Sequence, residues 1–158
     1  MGDWGDLFLP GALSLELAAI MNNKPTLLIY EDQTFTIGQD TFIDSTAENG
    51  NAVVFEDNEE TGYFYAVDRN HNLNILDALH IYNVADVIDK HKPSTIRILW
   101  TVDFMKAVLS INNYYQAIFD FKEKAGYCRN GFPNSHSSWT LINERVLTDE
   151  LINKLSKD

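Results

Sequence analysis

The sequence predicts an α+β fold in which a mainly antiparallel β-sheet, built as a meander of hairpins, has one helix at each end of the chain. Two patterns predict it. Apolar residues recur at every second position through three consecutive segments in the second half of the chain, and they recur with the helical period near both termini. A chain of 158 residues with 45% hydrophobic residues can bury one core, so we expect a single domain over residues 1–158.

The three alternating segments give the strongest strand prediction. Short connectors separate them, so consecutive hairpins should make a three-stranded antiparallel meander. Trp100, Leu109 and Phe119 should share its buried face. The segments cover residues 96–102, 107–111 and 115–121.

The first half of the chain contains shorter strand signals. Residues 52–56 and 63–68 flank a cluster of turn-forming residues and predict an antiparallel hairpin. Residues 75–84 fit either a helix or a strand, and alternation in the second half of this segment favours a strand from about residue 77. The other expected elements are extended segments at 26–31, 34–37 and 41–43 and one helical turn within 85–91.

Helical periodicity marks both termini. Residues 11–22 repeat leucine and isoleucine at helical spacing and are followed by Pro25, which predicts a helix in a loosely attached arm over residues 1–25. Residues 148–157 predict a second helix, which Thr148 can cap.

Apolar residues also occupy the second face of several predicted strands, where an exposed strand would be polar. Either a helix covers that face or it forms a binding surface. The residues are Phe64, Tyr82, Leu99, Val108 and Ile118.

Negative charge is concentrated in the first part of the chain. The chain has 23 acidic and 12 basic residues, which gives a net charge of -11. Residues 1–68 contain 13 of the acidic residues and a single basic one, Lys24, so their net charge is -12 and they account for all of the excess. An acidic chain is a poor ligand for nucleic acid, because phosphate binding requires a basic surface.

The sequence lacks the motifs that mark several functional classes. The one cysteine, Cys128, excludes an intramolecular disulfide and a cysteine-rich metal site. The N-terminus lacks the basic start of a signal peptide, and no apolar run is long enough to span a bilayer, so we expect a cytoplasmic protein without membrane contact. No phosphate-binding glycine pattern or hydrolase signature occurs, so no cofactor is predicted.

An acidic cluster in the predicted hairpin turn is the first candidate site. Glu56, Asp57, Glu59 and Glu60 place four carboxylates within five residues. Such carboxylates bind a cation, bind a basic partner or remain solvated. The spacing lacks the glycine and the distant glutamate of a calcium-binding loop, so no metal site is predicted.

The leading hypothesis is therefore a non-catalytic cytosolic protein, of immunity or regulatory type, that captures a basic partner protein through this acidic surface. The rival hypothesis is an enzyme or a small-ligand-binding protein with a pocket over the antiparallel sheet. His80, Tyr82 and Arg97 are the candidate pocket residues. A deep pocket with converging polar groups would favour the rival, and a flat acidic face beside an apolar patch would favour the partner-binding protein.

Three segments together resemble a family of small, acidic bacterial proteins of unknown function. The resemblance covers residues 50–140 and implies a bacterial source and a cytoplasmic location, but no catalytic residue. A glycine is usual in this family where the chain has Phe104, and a histidine is common where it has Gln116. The three segments are F-E-D with T-G-Y-F-Y-A (55–57 and 61–66), I-L-D-A-L-H-I-Y-N-V (75–84) and F-D-F with G-Y-C-R (119–121 and 126–129).

Overall fold

The computed structural model describes residues 27–130, 139 and 145–155. The predicted N-terminal helix over 11–22 and the arm over 1–25 lie outside these residues. In the described part of the chain, nine antiparallel strands and a C-terminal helix form the fold. The strands are β1 Leu27–Phe35, β2 Thr41–Thr46, β3 Ala52–Asp57, β4 Thr61–Asp68, β5 Asn74–Asn83, β6 Ser94–Thr101, β7 Lys106–Ile111, β8 Tyr114–Asp120 and β9 Ala125–Cys128, and the helix is α1 Asp149–Leu155.

The strands form two sheets rather than the single sheet that the alternation predicted. The larger sheet has the order β1-β6-β7-β8-β9, and the smaller has the order β2-β3-β4-β5. The predicted meander is confirmed as β6-β7-β8, the predicted hairpin as β3-β4, and the ambiguous segment as strand β5. The two short segments at 26–31 and 34–37 form one continuous strand, β1. The predicted helical turn is a 3₁₀ turn at Val84–Asp86.

The inward faces of the two sheets pack together and form the main core. Trp100, Leu109 and Phe119 are fully buried in it, as their shared face predicted. The Phe119 ring stacks on that of Phe64 from the opposite sheet with 5.0 Å between ring centroids. Trp100 Nε1 donates to Ser45 Oγ of the opposite sheet at 2.9 Å, which satisfies a buried indole N–H.

Helix α1 covers the second face of the larger sheet. Leu99, Val108 and Ile118 are buried there against Leu147 and Leu155. The Leu151 N–H donates to Thr148 Oγ1 at 3.2 Å, as expected of a capping residue. The helix therefore covers these apolar residues of the second face and removes them from water.

Strand β5 contains two bulges that change the direction of its side chains. The register between β4 and β5 skips Leu76 and Ile81, so alternation along the strand is broken twice. Strict alternation puts His80 and Tyr82 on one face, but the second bulge turns Tyr82 towards Gly62 and the interior. Placing Tyr82 on the second face was therefore wrong. Phe64 was also misplaced, because it lies in the main core.

Phe104 adopts the backbone conformation that favours glycine. Its φ is +61° in the turn between β6 and β7, a left-handed value that strains residues with a side chain. The glycine that is usual in the resembling family fits this geometry. The chain gains packing instead, because the Phe104 ring contacts Tyr30 edge-on at 6.1 Å.

A buried ion pair closes one side of the sandwich. Arg145 bonds to Asp77 Oδ2, and its Nε donates to the Gly126 carbonyl at 2.8 Å. The side chains are only 4% and 0% exposed. A Cβ on Gly126 would lie 2.6 Å from Asp77 Oδ2, so a glycine is needed for the pair to form. The ion pair thus joins β5 to β9 and to the segment that leads into α1.

We expect Arg145→Met to cost about 3–5 kcal/mol, because the Asp77 carboxylate is then left buried without its charge partner. The double variant Asp77→Leu/Arg145→Met should recover most of this loss, since two apolar side chains remove both charges from the interior. The measurement is the free energy of unfolding from urea titration. A single variant that loses less than about 1 kcal/mol would contradict the role of the pair.

Candidate functional site

The outward face of the smaller sheet contains a continuous row of side chains across all four strands. Phe42 opposes Glu56, Glu56 opposes Tyr63, and Tyr63 opposes His80. Directly opposed residues of antiparallel strands share a face, so these side chains stand side by side. We call these four residues, together with Asp44 and Tyr65 of the next row, the aromatic face.

The rings on this face are stacked. Tyr63 lies between Tyr65 and His80, with centroid distances of 5.7 and 4.8 Å and interplanar angles of 11° and 9°. His80 Nε2 lies 2.9 Å from Asn83 Oδ1 and 3.2 Å from the Tyr82 carbonyl, two acceptors that place its proton on Nε2. The stack is therefore rigid and presents a preformed surface.

Phe42 and Glu56 complete the face at the other side of the sheet. The Phe42 side chain is 61% exposed, which is unusual for a large aromatic residue. Glu56 is half-buried and accepts a hydrogen bond from the Tyr65 hydroxyl at 3.4 Å. Partial burial, followed by the charge and hydrogen bond of Glu56, raises the pKa of Tyr65 to about 12. Asp44 is neutralised by Arg69 at 2.9 Å.

The structure separates the four carboxylates of the acidic cluster. Glu59 and Glu60 are exposed in the β3–β4 turn, and Glu56 lies on the aromatic face. Asp57, in contrast, is completely buried. Composition does not distinguish Asp57 from the other three carboxylates, because its burial follows from the inward direction of its position in β3.

Asp57 holds together three chain segments at one end of the sandwich. Its Oδ2 accepts from the Tyr82 hydroxyl at 2.6 Å and from the Gly38 N–H at 2.8 Å, and its Oδ1 accepts from the Glu59 N–H at 2.8 Å. Burial, followed by the hydrogen bond to Asp57, raises the pKa of Tyr82. Asp57 therefore organises the turn that presents Glu59 and Glu60, while its own carboxylate is buried.

The three candidate pocket residues do not converge. His80 lies on the aromatic face, and Tyr82 lies inside the sandwich against Gly62, which has no side chain to obstruct the ring. Arg97 belongs to the other sheet, where it pairs with Asp32 at 3.3 Å and donates to Asn113 at 3.1 Å. The residues are therefore on three different surfaces of the fold.

A groove of about 540 Å³ lies between α1 and the larger sheet, but none of those three residues lines it. Its charged side chains are of both signs. They are Asp103, Lys106, Asp120, Lys122, Glu123 and Lys154.

Two further observations bear on chemistry. Burial raises the pKa of the Cys128 thiol, and its Sγ contacts the His80 carbonyl at 3.4 Å, so the thiol is held in its unreactive form. Within residues 27–130, 139 and 145–155, no group of three or more His, Cys, Asp or Glu side chains is arranged to hold a metal ion. Nor does this part of the chain contain a helix that could cross a membrane.

The sequence reasoning missed Phe42, Tyr63 and Tyr65 as site residues. The signal was present in β4, where Tyr63 and Tyr65 alternate with Phe64. Assigning the tyrosines to the outer face required knowing that Phe64 packs between the sheets, and placing Phe42 beside Glu56 required the register of β2 and β3.

The pattern of one protein family, described as an uncharacterized protein conserved in bacteria (DUF2251), matches residues 35–156. The chain belongs to this family. It is also 44% identical over 92 residues to an uncharacterized protein of Haemophilus influenzae, in an alignment that covers 56% of this chain and 57% of the relative. The chain therefore matches little more than half of that relative's length. No solved structure matches the chain.

Tyr65 should make the protein's stability depend on alkaline pH. Because folding raises its pKa from 10.0 to about 12, the folded state keeps the proton longer than the unfolded state does. This contribution is fully present below pH 10 and is lost as the pH rises through 12. We expect Tyr65→Phe to lose less unfolding free energy than the parent over this range.

The measurement is urea unfolding at several alkaline pH values. Tyr114→Phe changes a side chain that is 69% exposed and serves as the control, which should keep the parent's pH profile. Equal slopes for Tyr65→Phe and the parent would disprove the assignment.

Proposed function

We propose that this protein binds a basic partner protein through the aromatic face and the neighbouring β3–β4 turn, as a non-catalytic cytoplasmic protein of immunity or regulatory type. The observation that carries the proposal is the 61% exposure of Phe42 in one cross-strand row with Glu56, Tyr63 and His80. Exposed aromatic residues beside carboxylates are suited to lysine and arginine side chains, because rings attract cations and carboxylates pair with them.

The charge of the turn supports the same partner class. Glu59 and Glu60 are exposed beside the aromatic face and form no ion pair with any described residue. They are two of the 13 acidic residues that give residues 1–68 a net charge of -12. The field of such a charge accelerates the approach of a basic protein, while the apolar and aromatic surface slows its dissociation.

Photo-crosslinking in the source bacterium tests the proposal. Benzoylphenylalanine in place of Phe42 should crosslink one basic protein, and the same group in place of Val102, which is 56% exposed in the β6–β7 turn, should not. The product should decrease in ~0.5 M salt, because the Debye length falls to about 4 Å. The same products at both positions would contradict the proposal, as would no product at position 42.

Association kinetics with the captured protein should then separate charge from contact. We expect Glu59→Gln/Glu60→Gln to slow association about 3- to 10-fold at low salt, whereas the matched control Glu123→Gln/Glu150→Gln, which removes two exposed charges elsewhere, should change it far less. Phe42→Ala should mainly accelerate dissociation. Equal association rates for the two double variants would remove the turn from the mechanism.

A further inference from the structure

Two of the four sheet edges have hydrogen-bond partners, and a third edge is interrupted by a bulge. At the β5 edge, Asn130 Nδ2 donates to the carbonyls of His80 and Ile81. At the β9 edge, Cys128 pairs in parallel with Val146. Strand β1 is interrupted by a bulge at Tyr30. Proteins commonly blunt their edges in such ways, because unpaired strand edges recruit other strands.

Among the residues that the structure describes, strand β2 is the edge without such protection. It pairs with β3 in one uninterrupted register from Thr41 to Thr46 and contains neither lysine nor proline. Its one charge, Asp44, is already neutralised by Arg69.

The register also fixes which backbone groups of β2 point outwards. The Ala47 N–H donates to the Asn51 carbonyl on the β3 side at 2.8 Å. Since bonded pairs recur at every second residue of an antiparallel ladder, Phe42, Asp44 and Thr46 direct their N–H and C=O groups away from β3. No described residue forms a backbone hydrogen bond with these groups.

The larger sheet extends past this edge. Strand β9 packs next to β5, Phe119 of β8 contacts Phe64 of β4, and Trp100 of β6 bonds to Ser45 of β2. Five strands thus lie opposite four, and β1, which reaches the smaller sheet through a Phe35–Phe55 ring contact at 5.5 Å, is the strand left over beside β2. A strand added to β2 would lie opposite β1 and complete the sandwich.

Two side chains of β1 are polar although they point towards the space between the sheets. Glu31 opposes the buried Ile98, and Gln33 opposes the buried Ile96, so both point towards the space between the sheets. Elsewhere this face forms the core, yet Glu31 is only half-buried and Gln33 is exposed. The polar pair would suit a basic or polar side chain of an added strand beneath β1.

We infer that β2 is a strand-addition site that takes an extended segment of a partner protein with apolar residues on its outward side and basic residues on its inward side. This rests on the proposed function and specifies how the partner binds. In the added strand an apolar side chain would lie beside Phe42 and a basic one would face Glu31, while other basic side chains of the partner contact the rest of the aromatic face. Backbone hydrogen bonds to Phe42, Asp44 and Thr46 would provide affinity, as in other strand-addition complexes.

A second copy of this chain fits the edge poorly. Two antiparallel β2 strands centred on Ile43 would place Phe42 opposite Asp44, and pairing centred on Asp44 would place two Asp44 side chains together. Each copy also has a net charge of -11, so the chains repel one another.

A defined peptide tests this mode of binding. The probe is a short synthetic peptide of alternating valine and lysine, compared with a valine–glutamate peptide and with a copy methylated on alternate backbone nitrogens. Amide hydrogen exchange is followed by NMR. The lysine peptide should slow exchange at Phe42, Asp44 and Thr46 by about 10-fold or more, and the other two peptides should not.

Two variants at position 44 separate the contribution of the backbone N–H to peptide binding from that of the side-chain charge. Asp44→Pro removes an outward N–H that β3 does not use, and prolines are tolerated on edge strands. Asp44→Asn removes the same charge and the Arg69 ion pair but keeps the N–H. We expect Asp44→Pro to weaken the lysine peptide at least about 10-fold relative to Asp44→Asn, while both variants melt within a few degrees of each other.

Four outcomes would overturn the inference. They are equal binding by both variants, protection by the methylated or acidic peptide, no protection at saturating peptide, and protection of these amides in the free chain, which would show that another part of the chain or a second copy occupies the edge. Protection by a second copy would increase with protein concentration, whereas protection by another part of the same chain would not.

If Asp44→Pro still crosslinks the cellular partner at position 42, strand addition is wrong while the proposed function stands. If the peptide protects β2 but nothing crosslinks there, the proposed function is wrong.

Discussion

One buried ion pair between residues far apart in sequence, Asp77 and Arg145, joins the C-terminal segment to both sheets. Burying two charges is costly unless each also finds hydrogen bonds, and here Arg145 bonds to the Gly126 carbonyl while Asp77 accepts from the Ala78 N–H. The same contact aligns the segment after Arg145 with β9, through hydrogen bonds between Cys128 and its neighbours on that segment. Helix α1 follows directly, so its place over the larger sheet depends on this pair.

The pair also makes the two sides of the sandwich different. On the β5–β9 side, side chains and the returning C-terminal segment satisfy the edge groups. On the β1–β2 side, the larger sheet extends beyond the smaller one, and no described residue covers the β2 edge. The aromatic face adjoins this open edge through Phe42, so ring, carboxylate and backbone groups form one continuous surface suited to an extended, basic ligand.

Two carboxylates in this acidic chain contribute to structure rather than to surface charge. Asp57 and Asp77 are both completely buried, and each is held by several hydrogen-bond donors or by a guanidinium group. Asp57 orders the turn that exposes Glu59 and Glu60, so the position of these two exposed carboxylates depends on the buried Asp57 carboxylate. Net charge alone therefore overstates the charge available to a partner.

The sequence by itself determined the strands of the meander, the β3–β4 hairpin, the C-terminal helix and the excess of negative charge in the first 68 residues. These features follow from local periodicity and composition, which each segment carries on its own. Only the tertiary structure decided that there are two sheets, that Tyr82 and Asp57 point inwards, and that Phe42 stands beside Glu56. The bulges of β5 shift its alternation, and the choice of inner face depends on packing against a distant strand. The bulges and the choice of inner face leave no local sequence pattern, because contacts between residues far apart in the chain determine them.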